Sequence, residues 1–92
     1  MMYQFMTLND GTSIAHSQAL IKDGKEQVRV YFEQPINGGF NCAECWLPEY
    51  NWTMIEGFDE SHKAYFEEFL ASTSHIIIEL ARNGGFENAA NF

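Results

Sequence analysis

Residues 59–83, DESHKAYFEEFLASTSHIIIELARN, form the one long stretch of helical period in this chain, and the remaining sequence must supply a floor for it. At 100° per residue, His62, Phe66, Phe69, Leu70, Thr73, Ile77, Leu80 and Ala81 fall on a single stripe. Lys63, Glu67, Glu68, Ala71, Ser74, His75, Glu79 and Arg82 point elsewhere, and Ile78 lies off the stripe. Asp59 is an N-cap, since its carboxylate can accept from the unpaired N–H groups of the first turn, and Glu60 suits the positive helix end. Arg82 followed by Gly84 suits the other end.

The sequence before the helix reads as short strands separated by turns. Residues 3–8 make a first strand, and Asn9-Asp10-Gly11 supplies the positive-φ residues of a tight turn. Residues 13–21 return, Lys22-Asp23-Gly24-Lys25 turns again, and residues 27–33 follow with β-branched and aromatic side chains in near-alternation. Residues 35–39 break the pattern. Residues 40–47 resume it until Pro48, and residues 50–55 add a short edge strand or cross to the helix. Connections this short allow only antiparallel neighbours. The expected fold is therefore α+β, one domain over residues 1–92: a meander sheet of four to five strands in 1–57, a helix over 59–83 packed on one face, and a tail over 84–92. Asn-Gly-Gly-Phe occurs at 37–40 and 83–86, but the flanks differ, and both copies are turn chemistry followed by an aromatic anchor rather than a repeat.

Thirteen acids against five bases give a net charge of −8, which repels phosphate backbones and anionic membrane surfaces. Direct nucleic-acid and membrane binding are thus not expected. The first ten residues lack the charged and apolar regions of a secretory signal, and the longest aliphatic run is Ile76-Ile77-Ile78, so a cytoplasmic protein with reduced cysteines is expected.

Catalytic and metal chemistry find little to work with. Cys42-Ala43-Glu44-Cys45 has redox or zinc spacing, but on a strand residues three apart face opposite ways, and no second pair completes a Cys₄ site. His16, His62 and His75 form no ligand motif, and the Gly-Gly pairs lack a following Lys-Ser/Thr. Neighbouring carboxylates such as Glu67 and Glu68 diverge by 100° on a helix. The expectation is no catalysis, no metal and no cofactor.

Charge is concentrated in residues 44–68, where Glu44, Glu49, Glu56, Asp59, Glu60, Glu67 and Glu68 stand against Lys63 alone, a net −6 of the chain's −8. Trp46, Tyr50 and Trp52 are interleaved with them, side chains of the kind that anchor interfaces. The candidate partner-binding set is Glu44, Trp46, Glu49, Tyr50, Trp52, Glu56, Glu60, Glu67 and Glu68, with a basic protein as partner. The plainer reading is that the tryptophans plug the sheet–helix junction and the acids keep it soluble. A symmetric homodimer hiding Ile78, Phe86, Phe92 and the open sheet face, and a sugar platform of Trp46 and Trp52, are the other readings.

Residues 31–72, with YFEQPINGGF, WLPEY and GFDESHKAYFEEFLAS in that order, resemble HicB-type antitoxins in their succession of strand, Gly-Gly, strand, Leu-Pro, acidic turn and helix. Cys45-Trp46-Leu47-Pro48-Glu49 stands where that family has Pro-Asp-Leu-Pro-Gly, an amino-terminal hairpin is additional, and a basic DNA-binding extension is missing. The resemblance implies an acidic protein that masks a basic, RNA-cleaving partner.

Overall fold

A computed structural model describes residues 2–84 of the chain. Six strands precede one helix: β1 (Met2–Thr7), β2 (Ser13–Ser17), β3 (Leu20–Lys22), β4 (Lys25–Ile36), β5 (Gly39–Leu47), β6 (Asn51–Glu56) and α1 (Glu60–Arg82). All pairings are antiparallel, in the order β1-β2-β4-β5-β6, with β3 also paired to β4. This is the expected α+β meander with its carboxy-terminal helix. The tail, with Phe86 and Phe92, lies outside the described residues.

Two strand boundaries differ from the sequence reading. The expected strand 13–21 is interrupted at Gln18 and Ala19, and its two parts both pair with β4. The break has other uses for its backbone. The Ala19 N–H donates to the Ala81 carbonyl at the end of α1 (3.2 Å), and the Arg29 N–H bonds to the Ser17 hydroxyl (2.9 Å). The expected break at 35–39 shrinks to a two-residue turn, because Pro35 pairs with Phe40 and Ile36 with Gly39. Proline is tolerated there because β2 ends opposite Glu33, so beyond that point β4 has only one neighbour. In the preceding hairpin Asp23 (φ 52°) and Gly24 (φ 77°) both adopt the positive φ of a type I′ turn, as their sequence leads one to expect.

Alternation along the strands separates the two faces. Ile14, Val28, Val30, Phe32, Ala43, Cys45 and Leu47 are buried against Phe66, Leu70, Ile77 and Ala81 of the helix. Asp59 caps α1 by accepting from the His62 N–H (2.9 Å), and Glu26 on β4 makes a two-point ion pair with Arg82 at the other end (2.8 Å to Nε). The stripe predicts Phe69 to be as buried as Phe66. Phe69 sits instead at the margin, edge-on to Phe5 (centroids 6.3 Å apart), so its truncation should cost less than about 2 kcal/mol. Ile78, expected off the stripe, packs partly against the core. His16 is fully buried beside the Tyr3 and Phe5 rings; its Nδ1–H donates to the Ser17 carbonyl (2.8 Å), and Nε2 has no partner among the described residues.

Between β6 and α1 the chain turns at Gly57 (φ 86°), where a Cβ would overlap the Asn41 side chain. The turn is what delivers Phe58 to the core and Asp59 to the cap. Gly57→Ala should destabilise the protein by about 1–2 kcal/mol, the cost of a left-handed conformation for a residue with a Cβ, read as a lower urea midpoint at unchanged slope.

Candidate binding surface

In a meander, alternate connections fall at the same end of the sheet. One register row runs Thr7–Ser13–Glu33–Cys42–Glu56 across β1, β2, β4, β5 and β6. Beyond it lie the 8–12 loop, the end of the β4–β5 hairpin and the 57–59 link to the helix. Together, residues 7–13, 33–42 and 56–60 carry Asp10, Glu33, Glu56, Asp59 and Glu60 and not one lysine or arginine. The opposite end is compensated. It holds Lys22, Lys25, Arg29 and Arg82, of which Lys25 pairs with Glu49 (3.8 Å), Arg29 with Glu44 (3.4 Å) and Arg82 with Glu26.

Exposed apolar side chains are segregated in the same way. Of the seven large ones exposed among the described residues, Met6, Ile36, Phe40, Ile55 and Tyr65 surround the acidic end, and only Ile21 and Ile76 lie elsewhere. Phe40 is 59% exposed and Ile36 48%, both at the tip of a hairpin that outruns its β2 neighbour. Loops alone would not require this, because hairpin tips ordinarily carry polar residues.

The carboxylates at this end are not equivalent. Asp59 is held well below the usual carboxylate range by the Ser61 hydroxyl (2.7 Å) and then by the backbone and ring N–H groups of His62, so its charge is engaged within the chain. Asp10 is also held down, chiefly by the Thr12 backbone N–H (2.9 Å), which orders its loop. Glu33 accepts from the Tyr31 hydroxyl (3.1 Å), and Glu56 faces the Cys42 thiol (3.8 Å). Tyr31 is pushed up to about 12, first by desolvation on the sheet face and then by Cys42 and Glu33.

The residues predicted from the 44–68 segment do not form one surface. Glu56 and Glu60 belong to the acidic end. Glu44 lies on the open sheet face, engaged by Arg29 and the Thr53 hydroxyl (2.7 Å). Trp46 is on that face too, under the Lys22 ammonium (4.8 Å), while Glu49 and Tyr50 sit in the β5–β6 turn at the compensated end. Trp52 faces the helix, packed against Phe32 and Phe66, and its indole N–H donates to Glu67 (3.0 Å). Glu68 is exposed on α1. Trp46 and Trp52 therefore point to opposite sides of the sheet and make no common platform. The register next to the turn opposes Asn51 to Trp46 and Trp52 to Cys45, which puts Trp52 on the core side.

Asp10, Glu33, Met6, Ile36, Phe40, Ile55 and Tyr65 escaped the sequence reading because they come from separate segments. The usable signal was topological: alternate turns of a meander share an end. Among the described residues no group of three or more His, Cys, Asp or Glu side chains can hold a metal ion, and no helix is long and apolar enough to cross a membrane. No family model, curated protein or solved structure matches the chain.

Proposed function

We propose that this protein is a non-catalytic binding module that docks a basic protein through the acidic end of its sheet. The observation that carries the reading is the coincidence, at one end, of four carboxylates with no lysine or arginine ion pair among the described residues, Asp10, Glu33, Glu56 and Glu60, and most of the exposed large apolar side chains, with Lys63 the nearest cation in sequence. Charge steers the encounter and sets specificity, while Phe40, Ile36 and Tyr65 supply the desolvated contacts that charge alone does not. Carboxylates stand in for phosphates, so the partner class is a nucleic-acid-binding protein whose cationic groove the acidic end occupies. Such masking would inhibit the partner.

The two edge strands bear on self-association. Both β1 and β6 carry a register shift, between Gln4 and Met6 on β1 and between Trp52 and Met54 on β6, and such irregularities blunt edge-to-edge pairing. Two copies meeting through their acidic ends would also place like charges together. A basic partner suits this end better than a second copy does.

The test is capture from the lysate of the source cells on immobilised protein at 0.1 M and 1 M salt. Basic proteins should be enriched at 0.1 M and lost at 1 M, as the Debye length falls from ~10 Å to ~3 Å. Glu33→Lys, Glu56→Lys and Glu60→Lys together should cut capture roughly 3- to 150-fold, at ~0.2–1 kcal/mol for each exposed pair lost. Glu49→Lys with Glu79→Lys, at the compensated end, should leave capture unchanged. Equal loss from both sets would mean that net charge, and not this end, does the binding.

A further inference from the structure

A groove of about 360 Å³ runs between the end of β1 and the second turn of α1, lined by Met6, Thr7, Leu8, Asn9, Asp10 and Tyr65. Its volume lies in the lower part of the range for small-ligand clefts. Met6 and Tyr65 are among the exposed large side chains of the chain, Tyr65 at 53%, so an aromatic face and a thioether are open to an incoming group. The one formal charge among the six lining residues is the Asp10 carboxylate, fixed in place by its bond from the Thr12 N–H (2.9 Å).

We propose that this groove takes a single arginine side chain of the basic partner, its methylene stem on Met6 and Leu8 and its guanidinium on the Tyr65 ring and the Asp10 carboxylate. The inference rests on the binding reading above and narrows it to one residue type. A planar, weakly hydrated guanidinium stacks on an aromatic face while it donates in-plane to a carboxylate, whereas a lysine ammonium is a compact, strongly hydrated point charge that stacks poorly. An acidic or phosphorylated segment is repelled by Asp10. A purely apolar one desolvates the carboxylate while adding no donor or charge to offset that cost.

The experiment is calorimetric titration with amidated hexa-arginine and hexa-lysine at 0.1 M salt. Hexa-arginine should bind at least about 3-fold more tightly. Tyr65→Leu should abolish that preference, Tyr65→Phe should keep it, and Asp10→Asn should weaken hexa-arginine binding; an unchanged melting temperature for the Tyr65 variants verifies their fold. Equal affinity for the two peptides, or a preference that survives Tyr65→Leu, overturns the arginine groove and leaves the acidic-end reading standing. Failure of both peptides to bind overturns both.

Discussion

Phe66→Ala should remove about 3–5 kcal/mol of stability, more than any other single truncation in the helix. Phe66 is 1% exposed and meets three rings from outside the helix at once, besides His62 and Tyr65 within it. It stacks on Phe32 (centroids 4.2 Å apart, 14° between planes), stands perpendicular to Phe58 (5.0 Å) and lies near Trp52 (6.4 Å). Those neighbours come from β4, the link before α1, and β6, so no single segment can relax into the space. A cavity of ring size would remain, and the loss adds the missing contacts to the lost transfer energy. Against a total stability of about 5–15 kcal/mol for a domain of this size, the melting temperature should fall by roughly 15–30 °C. Phe69→Ala in parallel is the internal comparison. If the two variants melt within a few degrees of each other, Phe66 is not the point where helix and sheet are joined.

The two cysteines should differ in reactivity by on the order of 10³-fold or more. Cys42 lies on the open face of β5 beside Glu56, whereas Cys45 is fully buried on the core face. Burial pushes the Cys45 thiol up to about 12, with the Glu67 carboxylate adding to the effect. At pH 8 only roughly one Cys45 in ten thousand is then a thiolate, and the reagent must also reach it. Iodoacetamide at pH 8 should therefore modify one thiol per chain, with the second appearing only in denaturant, as mass spectrometry of the intact protein can follow. Two thiols modified at comparable rates without denaturant would contradict the packing of β5 against the helix. The same divergence rules out a disulfide within the native chain, because side chains on opposite faces of a strand cannot meet.

These two results separate what local patterns reveal from what they cannot. The helix was legible almost to the residue, since period, N-cap and C-terminal Gly84 all act within one or two turns. The Asp23-Gly24 turn and the divergence of the two thiols were legible for the same reason, a short-range steric or pleat rule. Phe66 and Phe69 both lie on the predicted stripe, however, and a 3.6-residue period cannot rank them. What ranks them is that Phe66 faces the centre of the sheet at Phe32, while Phe69 faces the edge strand at Phe5.

The candidate surface shows the same division more sharply. The amount of negative charge and its excess in residues 44–68 are properties of the sequence. Which carboxylates act together is not, because that segment crosses the molecule from one end to the other. Glu49 ends at the compensated end opposite Lys25, and Glu56 at the acidic end beside Cys42, only seven residues later. Conversely Asp10, Glu33 and Glu56, dispersed along the chain, lie at one end because backbone hydrogen bonds hold Ser13, Glu33, Cys42 and Glu56 in a single row. By itself the sequence determined the elements, the antiparallel order and the net charge, all governed by interactions between near neighbours. Only the tertiary structure decided which charges are compensated and which apolar side chains stay exposed, because cross-strand register aligns in one row residues as distant in sequence as Thr7 and Glu56.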